Sequence, residues 1–474
     1  MVTDKSGALV QRAKVTVRNQ ETNSLRTVET DQHGEYTVPL LFPGYYEVAV
    51  EMSGFRRSIQ KDVKLDVDQT LRVDFGLQLG NLAEVVTVSE SVPLIQTDTS
   101  ALGQVVDQGK VSELPLNQRN FLTFALLVPG AQTPAEGSQN SSQGGAISVN
   151  GAREQSNNFL LDGVDNNDPY INQYSVLPSI DAIQEFKVQS SGYSAEFGRT
   201  GGAQINIVLK SGANKAHASA FEFVRNRRLD AKNYFDMPDC TPTSVPGTCA
   251  EIPRFDRNQF GGTLGGPIRR DRTFFFGSYE GLRLRQAITQ EATVPSRFQR
   301  VAVVADLPPG YRNPAGDAIF NLIPLANVGK DLVNSNTFVA APVLRSTADQ
   351  ALVKLDHQIG PKSNISGHYS LFREDRFNPY DPLNNFTLLP GYGSFTQNRS
   401  QHAAFTWTQG ISPRWLNEFR FGFNRLRARM LQEHSGTNKS KELGFPTVLD
   451  NPVDYGYPNV QLLGFDGIGE PVNY

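Results

Sequence analysis

The side chains with most chemistry to offer in this chain are few and scattered. Metal binding or acid–base catalysis needs a histidine held beside a second ligand or a carboxylate at defined spacing. His33 falls in the turn "DQHG", and His217, His357, His368 and His402 fall in separate alternating segments, far apart, with no carboxylate at ligand spacing. They are expected to line strands or interfaces rather than to hold a metal. Cys240 and Cys249, the only two cysteines, bracket the loop "CTPTSVPGTC"; a loop disulfide in an oxidising compartment is the expected use, free thiols the alternative. In "DGVDNNDP", Asp162, Asp165 and Asp168 offer hard oxygen ligands at close spacing. The run lacks the twelve-residue register of an EF-hand, and Asp/Asn clusters are common turn formers, so it is read as a turn. No His-x-x-Glu pair and no Ser, His and acid constellation stands out, and no catalytic residue, cofactor or metal is assigned.

The elements around these residues are β-rich. The chain has 474 residues with 41 Gly, 28 Pro and 29 Phe, but only two Trp and four Met, a mixture that favours strands and turns over helices. The net charge of −3 supplies no broad electrostatic reason to bind nucleic acid or an anionic membrane surface. No run approaches the roughly 20 apolar residues of a spanning helix, and the N-terminus lacks the regions of a signal peptide. Because "MVTDKSGALV" reads as the tail of a strand and its turn, the chain is expected to start inside a longer protein.

Residues 1–80 carry short alternating segments, "AKVTVRN", "LRTVETD", "GEYTVPL", "GYYEVAVEM" and "KLDVDQTLRVDFGL", each bounded by Gly, Pro, Asn or Asp. This spacing predicts a small β-sandwich, with "DQHG" bringing Thr37 and Val38 into a hairpin. The pattern resembles the carboxypeptidase regulatory-like domain, a prealbumin-like sandwich without catalytic residues. Residues 81–95 form a connector in which Val85, Val86 and Val88 make a β-branched run. Three readings stay open for it: a strand that adds to another protein's sheet edge, the last strand of the sandwich, or a linker.

Residues 96–212 run through "NNFLLDGVDNND", where a buried strand meets the turn dipeptide Asp162-Gly163, and then "IDAIQEFKVQSSGYSAEFGRTGGAQINIVLKSG". The order of Ile183, Glu185, Val188, Gly192, Ser194, Phe197, Gly198, Gly201, Gly202, Ile205, Asn206, Ile207 and Lys210 resembles the plug of TonB-dependent outer-membrane receptors of the Oar-like type. That resemblance implies an α/β plug domain inside a barrel, with Gly198, Gly201 and Gly202 where the backbone passes close to the wall. An ordinary loop before an ordinary strand is the plainer alternative. It also implies a docking segment for the partner TonB at Glu84, Val85, Val86, Thr87 and Val88.

Residues 213–474 alternate segments of about ten residues with connections that are short and long in turn. In "DQALVKLDHQI", Ala351, Val353, Leu355 and Ile359 share one side and Gln350, Lys354, Asp356 and Gln358 the other; Phe221 and Phe223 share a face, as do Phe419, Phe421 and Phe423. Such alternation predicts part of a transmembrane β-barrel, because a strand in lipid must satisfy its backbone within a closed wall. About seven strands are expected here, the first part of a 22-stranded barrel and hence a fragment. Aromatics such as Tyr369, Phe405 and Trp407 are candidates for membrane-facing or interfacial belts.

The functional expectation is therefore a non-enzymatic receptor in the bacterial outer membrane. By resemblance it is energised through the TonB-ExbB-ExbD complex, is embedded in outer-membrane lipid, and takes an extracellular oligosaccharide, peptide or protein. A surface adhesin or matrix-binding β protein is the alternative, although no second copy of the first 80 residues is present.

Overall fold

The computed structural model describes residues 1–80, 85–88, 101–107, 109–110, 119–133, 147–169, 172–198, 200–232, 234, 236–237, 249, 252–306, 308, 310–329, 331–380, 387–412, 415–446 and 450–470. The first unit contains β1 (Val2–Asp4), β2 (Lys14–Asn19), β3 (Leu25–Glu29), β4 (Gly44–Glu51), β5 (Arg57–Leu65) and β6 (Phe75–Leu77). Alternation decides its core: Val15, Val17, Tyr46, Val48, Val50 and Val63 point inward and meet Val2, Phe75 and Leu77 of the small parallel pair β1–β6. The large sheet of this unit runs β3-β2-β4-β5-β7, with β7 (Val85–Val88) parallel to β5.

The expected hairpin at Thr37 and Val38 does not form. The turn at residues 31–34 is present, with Gly34 N–H donating to Asp31 O (3.2 Å), but residues 35–43 take no strand. Pro39 and Pro43 remove ladder donors there, and Leu40 sits at φ 55°, a conformation incompatible with a ladder.

The central unit is built on a five-stranded mixed sheet, β12-β11-β14-β13-β8. These strands are β8 (Leu102–Asp107), β11 (Asn158–Leu161), β12 (Val164–Asp165), β13 (Ile183–Ser191) and β14 (Gln204–Leu209), while β9 (Ala131–Gln132) and β10 (Ser148–Val149) form a separate pair. Its core gathers Phe121, Leu122, Phe159, Phe186, Ile183, Ile205 and Ile207, all buried. Burying each such side chain is worth about 1.5–3 kcal/mol. Between residues 119 and 212 the described helical turns are 3-10, at Phe121–Leu127, Glu154–Ser156 and Ile180–Ala182.

The third unit is an antiparallel sheet of seven long strands in chain order: β15 (His217–Asn226), β16 (Phe255–Arg269), β17 (Thr273–Ala287), β20 (Val343–Gly360), β21 (Ser363–Asn378), β22 (Ser394–Ser412) and β23 (Trp415–Gln432). Its connections alternate as the sequence predicts. One end has tight returns at residues 270–272 and 361–362, with β22 and β23 only two residues apart in sequence there, and the other has long excursions. The long-connection end carries its own apolar cluster of Ala292, Val294, Ile319, Ile323, Leu389, Tyr392 and Ile468, near the short pairs β18 (Gln290–Thr293) with β19 (Thr337–Ala340) and β24 (Val460–Leu462) with β25 (Phe465–Ile468).

The large sheet inverts the usual burial rule. Along β20, Val353 and Leu355 are 54% and 50% exposed while the intervening Lys354 is 3% exposed. Cross-strand register carries the same apolar face through Leu264, Tyr369, Phe405, Phe421 and Phe423. A continuous apolar face presented outward, with polar groups turned in, suits a hydrocarbon solvent. No helix among the described residues is long and apolar enough to cross a membrane. Phe221 and Phe223 do share a face, as expected, and it is the inward one, where the Arg119 guanidinium lies 4.3 and 4.7 Å from their rings.

Candidate functional site

The inner face of the large sheet grips the central unit through a buried charge cluster. The Asp162-Gly163 dipeptide makes the two-residue hairpin turn between β11 and β12, with both residues at positive φ (50° and 74°), as the primed turn types require. The turn presents the Asp162 carboxylate to the sheet. Its Oδ1 accepts from Leu209 N–H (2.9 Å), and its Oδ2 receives Lys354 Nζ (3.0 Å) and His368 Nδ1 (2.9 Å). Lys354 Nζ also donates to Leu209 O (3.1 Å). Burial alone would raise the Asp162 pKa, but Lys354 and then His368 outweigh it and hold the carboxyl well below the ordinary range.

Lys354 and His368 are direct cross-strand partners in register. His368 Nε2 lies 2.9 Å from His402 Nδ1, the two rings meeting edge to edge and within 14° of coplanar, and His402 Nε2 meets Asp165 O at 3.1 Å. Both ends of this chain of contacts are acceptors. The tautomer of each ring sets which nitrogen donates along this chain. Three consecutive inward positions of β23 complete the grip: Arg420 Nη1 donates to Gly163 O (3.3 Å), Asn424 Nδ2 donates to Asn167 O (2.9 Å), and Gly422 leaves the space filled by Val164.

His368 and His402 lie at the interface between the large sheet and the central unit, the kind of position expected of the strand histidines. His368 does meet a carboxylate and His402 does meet a second histidine, across 206 and 34 residues of chain respectively. No spacing rule could find them, because the register of β20, β21 and β22 brings them together. No group of three or more metal-ligating side chains occurs among the described residues.

The glycines of the sequence motif divide. A Cβ at Gly198 or Gly201 would meet nothing within 4 Å, and one at Gly202 would run into Ser156 and Asn157 of the same unit rather than the large sheet. Close approach to the large sheet falls instead at Gly212, where a Cβ would stand 2.6 Å from Gly266 O and 2.9 Å from Phe275 N.

Asn206 contacts the first unit: its Nδ2 donates to Asp68 Oδ2 (2.9 Å), and Lys187 Nζ donates to Asp68 O (2.7 Å). Beside them the buried Glu185 accepts from Val67 N–H. Burial, then repulsion from Asp66 and Asp107, pushes the Glu185 pKa up from 4.5 to about 7, with Val67 N–H and Lys64 opposing. A carboxyl whose folded pKa is raised contributes its stability below the ordinary value, and that stability is lost as pH rises through about 7. Hydrogen exchange at the Val67 amide is therefore expected to be slower at pH 5.5 than at pH 8 once corrected for intrinsic rates, and E185Q to flatten the difference. The wild-type shift is worth up to roughly 3 kcal/mol; a flat wild-type profile would contradict it.

Of the docking residues, Val85, Val86, Thr87 and Val88 lie in β7, in register with Arg57, Ser58, Ile59 and Gln60 of β5. Glu84 lies outside the described residues. Cys249 is disulfide-bonded, and Cys240, the only other cysteine in the chain, lies outside the described residues. The sandwich sits at the short-turn end of the large sheet, where Asn23 Nδ2 and Asn214 Nδ2 donate to Asp271 Oδ1 (2.9 and 2.8 Å) and Arg26 Nη1 donates to Pro361 O (3.2 Å).

Comparison with known proteins matches residues 208–474 to a family described as "Outer membrane beta barrel domain" and residues 1–78 to "Carboxypeptidase regulatory-like domain". A curated relative, the TonB-dependent transporter Oar of Myxococcus xanthus, is 30% identical over 284 residues, covering 56% of this chain and 24% of its own length. Among solved structures, the outer membrane transporter YddB from Escherichia coli matches with TM-score 0.46 and 14% identity, over 70% of this chain and 40% of that one. The ferric-catecholate import receptor Fiu from E. coli K12 matches with TM-score 0.37 and 14% identity, over 71% and 50%. The chain thus spans about a quarter of the curated relative and half or less of these structures.

Proposed function

The chain belongs to the outer membrane beta barrel domain family, and from that premise we propose that it is part of a TonB-dependent receptor that moves a substrate across the bacterial outer membrane. The observation that carries this reading is the pairing of opposite demands on the large sheet. Its outer face is apolar and exposed at Val353, Leu355 and Phe421, and its inner face holds a separate folded unit through Lys354 and His368 on Asp162. A sheet with lipid on one side and a polar, filled interior on the other is a plugged barrel wall. The seven strands then form part of a wall of about 22 strands, and residues 96–212 are the plug.

In this reading the short-turn end, with the sandwich beside it, faces the periplasm, and the long connections face outward. Oar, the curated relative, is named a TonB-dependent transporter, which supports coupling to the TonB-ExbB-ExbD complex. The substrate class is an oligosaccharide, peptide or protein taken at the long-connection end. Glu84–Val88 is the docking segment. Since, among the described residues, β7 ends the order β3-β2-β4-β5-β7, its outer edge is where a partner strand would join by main-chain hydrogen bonding.

Deleting Glu84–Val88 from the full-length protein tests that placement. Binding of the purified periplasmic domain of TonB, followed by calorimetry, is expected to fall at least about tenfold, or by 1.4 kcal/mol. Unchanged binding would remove the segment from the docking role.

A further inference from the structure

The sandwich is joined to the rest of the protein by polar contacts rather than by a shared core. Its apolar cluster around Val15, Val48 and Phe75 and that of the central unit around Phe186 and Ile205 have no residue in common. Between them the central sheet presents a polar row: Glu185 and Lys187 of β13 and Asn206 of β14, each 5% exposed or less. The loop at Val67 and Asp68 caps that row. Val67 N–H donates to Glu185, Lys187 Nζ to Asp68 O (2.7 Å) and Asn206 Nδ2 to Asp68 Oδ2 (2.9 Å), while Lys64 lies 3.8 Å from Asp107. Towards the tight returns of the large sheet, Asn23 donates to Asp271 (2.9 Å), Asn214 N–H to Glu21 O (3.0 Å) and Arg26 to Pro361 O (3.2 Å).

Such an interface separates at low cost. The groups uncovered are ones that water can solvate, whereas parting two apolar faces would forfeit about 25 cal/mol for each Å² exposed. A cleft of about 120 Å³ also remains between the three units, lined by Arg26, Leu41 and Phe42 of the sandwich, Val208 and Ser211 after β13, and Asp356 of β20. The seat of the sandwich is therefore incompletely packed.

β7 puts a handle on this seat. It lies parallel to β5, Val85 opposite Arg57 and Val88 opposite Gln60, so load on β7 enters the sandwich through the ladder. Covalent reach gives the same order: residues 78–84 separate β6 from β7, and residues 89–101 separate β7 from β8. At about 3.5 Å per residue the first link spans at most about 28 Å and the second about 49 Å. Force on β7 thus draws on the sandwich before it draws on the central sheet.

We propose that the sandwich is a removable stopper at the short-turn end, lifted as one body from the central unit and the tight returns when β7 is pulled, and reseated through Asp68 when the pull ends. This rests on the reading of Glu84–Val88 as the docking segment, the pull being that of the partner bound there. Lifting the sandwich uncovers Glu185, Lys187 and Asn206 and opens the cleft on the side where a transported substrate leaves.

The test holds the full-length protein in a surface-anchored lipid nanodisc under constant force, with a DNA handle on β7 through V86C. The first extension step is expected to be loss of the seat. D68G suits the positive φ of 48° at that position but removes the acceptor for Asn206, and it should shorten the dwell before that step at least about tenfold. N23A should shorten it as well, and in both variants the later steps, from the central unit, should keep their wild-type dwell times. A first-step dwell unchanged in both variants would mean that β7 strips from β5 while the sandwich stays, and would overturn the proposal. Unravelling of the central unit as the first step would overturn it too. Pulling through the bound periplasmic domain of TonB separates the two readings: the same D68G-sensitive first step supports both, whereas a chain that TonB fails to grip, with the V86C step intact, removes the docking segment and leaves the release of the seat under load standing.

Discussion

Replacing Asp162 by alanine is expected to loosen the central unit from the large sheet at a cost of about 3–5 kcal/mol. Lys354 is 3% exposed and has Asp162 as its ion-pair partner. Without the carboxylate, the buried ammonium keeps Leu209 O as hydrogen-bond acceptor and the charge of Asp356 nearby, and His368 loses its carboxylate partner. An uncompensated buried charge is the dearest single defect a protein interior can carry. D162N keeps the shape and the acceptor for Leu209 N–H but not the charge, so it is expected to fall between alanine and wild type. The informative companion is K354M: if the cluster works as an ion pair, the double variant D162A/K354M will be markedly less destabilised than the sum of the two single changes. Urea unfolding of the chain in detergent, with protease access to residues 196–202 as a second probe, would read this out. Additive losses, or a D162A chain as stable as wild type, would show that the cluster does not hold the central unit.

The second large effect is expected at Gly212. A methyl group there meets backbone atoms of two strands, Gly266 O and Phe275 N at 2.6 and 2.9 Å and Phe275 O closer still. Backbone of a paired strand cannot step aside as a side-chain tip can, so G212A is expected to cost about 1–3 kcal/mol or more by overpacking. The contrast is with G198A and G201A, where the added methyl meets nothing and the change should stay within about 0.5 kcal/mol. Equal effects at all three positions would mean that the motif glycines, rather than the closest approach, carry the constraint. The measurement is the same unfolding experiment run on the three alanine variants in parallel.

Much of the architecture is legible in the sequence because its causes are local. Period-two alternation in "DQALVKLDHQI" follows from side chains pointing to opposite faces of a strand, and it puts Val353 and Leu355 out and Lys354 in wherever that strand sits. Asp162-Gly163 is a turn in any context, since few dipeptides tolerate two positive φ angles. The short "RRD", "GPKS" and "SPR" returns fix which strands are neighbours, and the sheet follows chain order accordingly. The sequence also left the partner of Val85–Val88 open between sandwich and docking strand; in the structure it lies along β5.

Tertiary structure alone decided what those strands bring together. Asp162 reaches His368 across 206 residues, and Glu185 reaches Val67 across 118; neither partner is hinted at by spacing, because sheet register and the seating of one unit on another set the distance. A chain can encode which face each residue takes through short-range geometry, but which residues share that face depends on contacts between segments hundreds of positions apart.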